Sequence, residues 1–417
     1  MTYPFLGRLR VIESSAFIAA PLAGLTLAQY GADVIRIDMI GGGIDYARMP
    51  RMPHPQGRGR SLYWTALNKG KRSVAIDLRK PEGRELIQAL VTAPGPDAGV
   101  LLTNIGTPWL SHEALAQKRA DVISCTIQGN GDGSTAVDYT VNCATGYPVI
   151  TGGGSPAAPV NHVLPAWDIA CAYQASFAVL AAVDLRRRTG QGAELKLALS
   201  DMAFTMLSHL GVLAESELLH QERPSIGNHL YGAFGRDFAT SDGQRIMVAA
   251  ISASQWKSLV KCCGISESIV QVQRELHLDF NDEAQRFEGR DAIAALVEPW
   301  FAQRNAGDAE AALEANKVCW GRYSTVQELL ARDARVSTDN PVFERIDTPG
   351  IGRHLAAGAA VRAPAMDRAP TPAAALLGTH TDEILEQVLG LSPGAVGRLH
   401  DAGIVAGPDR DPSVAPA

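Results

Sequence analysis

Arg10-Val11-Ile12-Glu13, a helical stretch over 21–30, then Gly31-Ala32 and Asp33-Val34-Ile35-Arg36-Ile37-Asp38: this strand–helix–strand run decides the fold. The pattern continues outward. Ser73-Val74-Ala75-Ile76-Asp77 is a strand, Pro81-Glu82-Gly83 opens a helix, and Gly99-Val100-Leu101-Leu102-Thr103-Asn104 is a strand. A helix near 113–118 leads into Asp121-Val122-Ile123-Ser124-Cys125-Thr126-Ile127. Short β-rich runs alternating with helices predict an α/β fold, a Rossmann-like large domain with a parallel sheet covered on both faces. Ligands of such sheets bind where the strands end, which singles out polar loop residues such as Asn104.

Downstream, a long helix ends at Arg186-Arg187-Arg188-Thr189-Gly190, and Ala193-Glu194-Leu195-Lys196-Leu197-Ala198-Leu199 forms a further strand. Ser200 and Asp201 are good caps for a helix over 200–219. Periodicity breaks between His220 and Tyr231. Asp242-Gly243, a turn signal, then opens a smaller α+β region with the strand 244–250 and helices to about 332. A Pro- and Ala-rich connector over 363–373 precedes two short helices, and 406–417 reads as a frayed tail. The expected organisation is a large-domain segment at 1–219, a linker and small domain at 220–335, and a return to the large domain at 336–417.

With 417 residues the chain exceeds one ordinary core. It is 46% hydrophobic and 20% charged, the balance of a globular protein. A net charge of −6 argues against a nucleic-acid partner. No apolar stretch approaches a membrane span, and the opening residues lack the design of a secretory signal. The six cysteines show no C-x-x-C spacing and read as reduced packing residues. These features predict a cytoplasmic protein with no membrane partner and no metal site.

Asp168, in Leu164-Pro165-Ala166-Trp167-Asp168, stands at the mouth of a run of small and apolar residues. There it meets unpaired backbone N–H groups and the positive end of the helix dipole, which favour its ionised form. Two readings stand: a simple N-cap, or a carboxylate nucleophile toward a carbonyl carbon.

Asn68-Lys69-Gly70-Lys71-Arg72-Ser73, with Arg79 beyond and Arg36 upstream, offers cations to a phosphorylated ligand or is a solvated loop. Asp138 and Asn142 share a helix face that would orient a substrate carboxyl or steady Asp168, or else form a cap and a surface amide. The stretch 227–238 crowds Gly, aromatic and charged residues into one loop. Its His229 and Arg236 suit a carboxylate, unless the loop is only a hinge. The chain lacks a P-loop, a G-x-S-x-G elbow and a dinucleotide fingerprint.

Taken together the chain resembles the class III CoA-transferases. The motifs are Leu9–Glu13 through Gly31–Ile37, Asn68–Ser73 through Pro81-Glu82-Gly83, Asp168 with Arg188-Thr189-Gly190-Gln191-Gly192 and Ser200-Asp201, and Leu377-Gly378-Thr379-His380-Thr381-Asp382-Glu383-Ile384-Leu385. The resemblance implies that Asp168 is the catalytic aspartate. It implies a homodimer of interlocked rings and an acyl-CoA substrate, with no cofactor beyond coenzyme A itself. Coenzyme A would lie against Phe17, Ile18, Ala19, Ile76, Arg79 and Asn104, and the charge reading above adds Arg36 and Lys71 as phosphate-binding cations. Met39 and His112 stand where relatives place basic residues, and Val137 stands where racemases of the family place a His. Within the family, 164–168 and 227–238 resemble members that move CoA between the two carboxyls of one mesaconate through an aspartyl-CoA thioester. Transfer between an acyl-CoA and a separate dicarboxylic acid is the alternative.

Overall fold

The computed structural model describes residues 2–95, 97–153 and 158–414. Two compact units emerge: Met1–Thr145 with Val163–Ala214 and Ala334–Ala417, and Gly146–His162 with Glu215–Asp333.

The first unit is built on β1 (Leu9–Ser14), β2 (Asp33–Asp38), β3 (Arg72–Ile76), β4 (Asp97–Thr103), β5 (Ile123–Gln128), β6 (Ala193–Ala198) and β7 (Val405–Ala406). Their order across the sheet is β7-β3-β2-β1-β4-β5-β6. All neighbours are parallel except β7, which pairs antiparallel with β3. The sheet is thus mixed but mostly parallel, an α/β fold. β1 to β4 are buried along nearly their whole length, as a sheet covered on both faces requires. The chain lays β2 and β3 to one side of β1, then crosses to place β4, β5 and β6 on the other. The topological switch therefore falls between β1 and β4, where such sheets bind ligands.

Three helices position the site: α1 (Ala19–Gln29), α2 (Asp138–Ala144) and α3 (Ala166–Thr189). α1 and α3 pack on each other over one face of the sheet. Ile12, Ile35, Val74, Ile76 and Leu101 form a core on the other face, under Ile87 and Leu90 of one helix and Ile384 and Leu385 of another. Small residues let α1 approach β1. A Cβ on Gly24 would stand 1.7 Å from a Glu13 carboxylate oxygen, so any larger residue would displace that buried carboxylate.

α3 corrects one sequence expectation. It spans 24 residues with a most-apolar window of mean hydropathy 1.4, long and apolar enough to cross a membrane. Its inward face, from Trp167 through Cys171, Ala175 and Val179 to Arg186, is buried within this unit. The helix expected over 200–219 is two, Leu199–His209 and Val212–Leu219, parted at Gly211 with φ 76°. The tail is not frayed through its described residues. Asp411 is buried and accepts the Tyr46 hydroxyl (2.6 Å) and the Leu377 N–H (2.8 Å), which ties it to the core. Residues 415–417 lie outside the described residues.

The second unit has an antiparallel three-stranded sheet, Arg245–Ala250 between Phe234–Ala239 and Cys319–Arg322. Phe234, Phe238, Trp256, Phe280, Val297 and Phe301 form its core. The sequence read 227–238 as one loop. Its second half is a strand whose Phe234 and Phe238 are core residues, a pattern masked by the glycines and charges between them.

Candidate active site

The loops at the carboxyl ends of β1, β4, β5 and β6 enclose a cavity of about 350 Å³. Phe17, Ile18 and Ala19 follow β1, Asn104 follows β4, Gln128 and Gly129 lie at the end of β5, and Leu199 follows β6. Arg48, Val137, Asp138, Tyr139 and Asp168 complete most of the wall. Asn104 stitches the switch point together. Its Oδ1 accepts the Ala16 N–H at 2.9 Å and its Nδ2 donates to the Ala16 carbonyl at 2.7 Å. Phe17 holds a φ of 65°, a conformation that non-glycine residues adopt at a cost, and its N–H donates to Asp45 at 2.8 Å.

α3 begins at Ala166 with Pro165 at the N-cap, and Pro offers no side-chain acceptor. The orphan N–H groups of the first turn need one from elsewhere. Asp138, the first residue of α2, supplies it: its Oδ2 accepts the Trp167 N–H at 2.6 Å and the Asp168 N–H at 3.0 Å. Asn142, one turn along α2, accepts the Trp167 indole N–H at 3.0 Å. Asp138 and Asn142 do share a face, and that face fixes the start of α3.

Asp168 is thus inside the helix, not its cap, and its carboxyl accepts no hydrogen bond among the described residues. The sequence predicted an ionised group favoured by the helix terminus. The structure reverses this. Burial, and then the charge of Asp138, push Asp168 up to about 7, and Arg48 draws it back down. The N–H groups and the dipole that would have stabilised its charge serve Asp138 instead. Asp138 Oδ1 is buried without a partner among the described residues.

Several expected ligand residues lie elsewhere. Arg36 is fully buried, bonded to Glu13 (2.8 Å), Asp38 (3.0 Å) and Asn68 (3.1 Å). Lys71 donates to Glu13 (2.9 Å), Asn68 and the Pro21 carbonyl, and burial lowers it to about 8. Both neutralise internal carboxylates beneath α1 and are not available to a phosphate. Ile76 is a core residue with no exposed surface. Arg79 is solvent-exposed and paired with Asp77 at 2.8 Å. His112 bonds Ser124 at 2.8 Å.

His229 and Arg236 belong to the second unit, and neither lines the Asp168 cavity. His229 lines a cleft there with Ser225, Asn228, Arg290 and Asp291. Burial and Arg236 hold its pKa below the ordinary value, which makes it a poor cationic partner for a carboxylate. Among the described residues no cluster of His, Cys, Asp and Glu could hold a metal ion. No disulfide joins the described cysteines.

Sequence reading missed Arg48, Gln128, Gly129 and Leu199. The strand-end rule that found Asn104 would also have found the last three. Arg48 had no local signal, because it reaches the cavity from a loop far from the other residues along the chain.

The CoA-transferase family III model matches residues 6–381. The chain belongs to this family. It is 49% identical to the 2-methylfumaryl-CoA isomerase of Chloroflexus aurantiacus over 96% of this chain and 98% of that one. It is also 27% identical to the succinyl-CoA--D-citramalate CoA-transferase of the same organism, over 93% and 94%. A formyl-CoA:oxalate CoA-transferase of Rhodopseudomonas palustris is 26% identical over 97% of both chains. Among solved structures, a CAIB/BAIF family protein from Brucella suis superposes with a TM-score of 0.74 at 24% identity, over 93% of this chain and all of that one. That likeness supports the fold. The family and the first relative make this chain a CoA-transferase or isomerase acting on acyl-CoA.

Proposed function

We propose that this chain moves coenzyme A between the C1 and C4 carboxyls of one mesaconate (2-methylfumarate), with Asp168 as the covalent nucleophile. The observation that carries the mechanism is an Asp168 carboxyl without a hydrogen-bond partner among the described residues, lining the cavity at the topological switch. The 49% identity to 2-methylfumaryl-CoA isomerase supports the choice of acid.

In this reading the Asp168 carboxylate attacks the thioester carbonyl. A mixed anhydride forms and the CoA thiolate departs. The thiolate then attacks the aspartyl carbonyl, giving an aspartyl-CoA thioester and free mesaconate. The other carboxylate of that mesaconate attacks the aspartyl thioester carbonyl, forming a second mixed anhydride as the CoA thiolate departs again. Thiolate attack on the mesaconyl carbonyl yields the isomeric thioester and restores Asp168. No proton is gained or lost and no further cofactor is called for. Holding the acid in the site favours its own second carboxylate over an external one, because a held carboxylate reacts at an effective concentration of roughly 10⁵ M or more. Phe17, Ile18, Ala19 and Asn104 would receive the pantetheine end.

Racemization would need an acid/base pair at the α-carbon. No histidine lines the cavity among the described residues, and Val137 occupies the place of the racemase His. Exposed apolar side chains on α3, Tyr173 and Phe177, support a homodimer, and the interlocked form is the arrangement we propose.

The test is incubation with mesaconyl-C1-CoA, chromatography for the C4 isomer, and a parallel reaction containing isotopically labelled free mesaconate. Isomer formation with no label in the thioester pool is expected. Label in the pool identifies intermolecular transfer instead.

A further inference from the structure

A monothioester of a dicarboxylic acid brings a second, free carboxylate into the cavity. Among the described residues, the charged side chains lining that cavity are those of Asp138, Asp168 and Arg48. Two carboxylates repel a third in a partly desolvated space, where unit charges interact far more strongly than in water. Any favourable charge must come from Arg48.

The Arg48 guanidinium is free to act. No ion pair or side-chain hydrogen bond engages it among the described residues. It lies instead against two aromatic rings, 4.7 Å from the Tyr63 centroid and 5.6 Å from that of Phe17. Such contacts fix the guanidinium plane while leaving its N–H edge open. Its loop is pinned on the N-terminal side. Asp45 accepts the Phe17 N–H at 2.8 Å, and Tyr46 donates its hydroxyl to buried Asp411 at 2.6 Å. The Arg48 N–H closes the turn onto the Asp45 carbonyl at 3.0 Å. An unpaired, pre-oriented guanidinium in a cavity of otherwise negative charge is a carboxylate-recognition element.

We propose that Arg48 forms the subsite for the free carboxylate of the bound acid, and that this subsite confers the preference for dicarboxylic over monocarboxylic thioesters. The inference rests on the transferase reading and deepens it. While one carboxyl is bonded to CoA or Asp168, the other is held on Arg48. When the acid is released within the cavity, its two ends exchange places there, and the charge that recognises the diacid also retains it.

The test compares wild type, R48Q and R48K in two reactions. The first is formation of the Asp168 adduct, trapped with hydroxylamine and read by mass spectrometry, from mesaconyl-CoA and from crotonyl-CoA, which lacks the second carboxylate. In R48Q the dicarboxylate-to-monocarboxylate ratio of kcat/KM should fall roughly 30-fold or more, the lower end for losing one partner of an enclosed charge pair. R48K keeps the charge without the planar fork and should fall between. The second is isomerization in the presence of labelled free mesaconate, where R48Q should admit label that wild type excludes. Equal loss on both thioesters, with label still excluded, overturns the subsite and leaves Arg48 as a charge that only tunes Asp168. If wild type forms the adduct but never the C4 isomer, the isomerase reading fails on its own, and the adduct ratio still decides the role of Arg48.

Discussion

Asp138 accepts the backbone N–H of Asp168 at 3.0 Å, and its charge is the second cause, after burial, of the raised Asp168 pKa. One carboxylate therefore builds the helix that carries the other and opposes its ionisation. The helix terminus that the sequence assigned to Asp168 serves its neighbour.

Loss of the nucleophile is the most direct prediction. Asp168→Ala should abolish thioester transfer while circular dichroism shows an intact fold. In wild type, hydroxylamine trapping during turnover should place a hydroxamate on the peptide containing Asp168. Near-normal turnover by the variant would remove the covalent scheme.

The pH dependence follows from the same pair. Only ionised Asp168 attacks, so kcat/KM should fall below about pH 7, the pKa at which Asp168 is held, approaching tenfold per unit. Asp138→Asn keeps an oxygen for the Trp167 and Asp168 N–H groups and removes the repelling charge. Its acid limb should move to lower pH, and a limb that stays in place would show that burial alone sets the pKa.

Stability should move in the opposite sense. A carboxyl whose folded pKa is raised from 3.8 to about 7 contributes stability that is complete below pH 3.8 and is lost as pH rises through 7. Asp168→Asn does not titrate. Urea unfolding should therefore show an advantage over wild type that is absent near pH 3.8 and grows to a plateau above pH 7. The plateau should be on the order of 1–2 kcal/mol after discounting for solvent screening. A pH-independent difference between the two would contradict the raised pKa.

The buried cations give a fourth prediction. Lys71→Met leaves Glu13 with one fewer partner in a closed network. Removing one member of such a network costs about 3–5 kcal/mol. Chemical denaturation should show that loss, with little change in KM for the CoA thioester in whatever fraction folds. A large rise in KM without loss of stability would return Lys71 to the coenzyme.

The C-terminal segment gives the last. Asp411→Ala removes the acceptor for Tyr46, Leu377 and Ser413, each bonded at 2.8 Å or less. Stability should drop by about 1–3 kcal/mol for the stranded buried donors. KM should rise as well, because Tyr46 anchors the loop that carries Arg48. Unaltered kinetics at full folding would detach the tail from the site.

The sequence was most legible where signals are local. The strands β1 to β4 were placed to within about two residues because fully covered strands need near-continuous β-branched and apolar runs, and β6 was placed from its alternating pattern. Asn104 was found from the strand-end rule alone. Misreadings came where charge was taken as exposure. Arg36 and Lys71 look like a basic surface in one dimension, yet Glu13 and Asp38, brought in from other strand positions, bury and neutralise them.

By itself the chain determined the α/β alternation, the family, and the candidacy of Asp168, because periodicity, turn chemistry and short motifs are written in consecutive residues. Only the tertiary structure decided which groups share the cavity, that Asp138 takes the helix terminus, and that Arg48 is the cation present there. Electrostatics depends on distance and burial in space, and residues 48, 138 and 168 become neighbours only when the sheet is assembled.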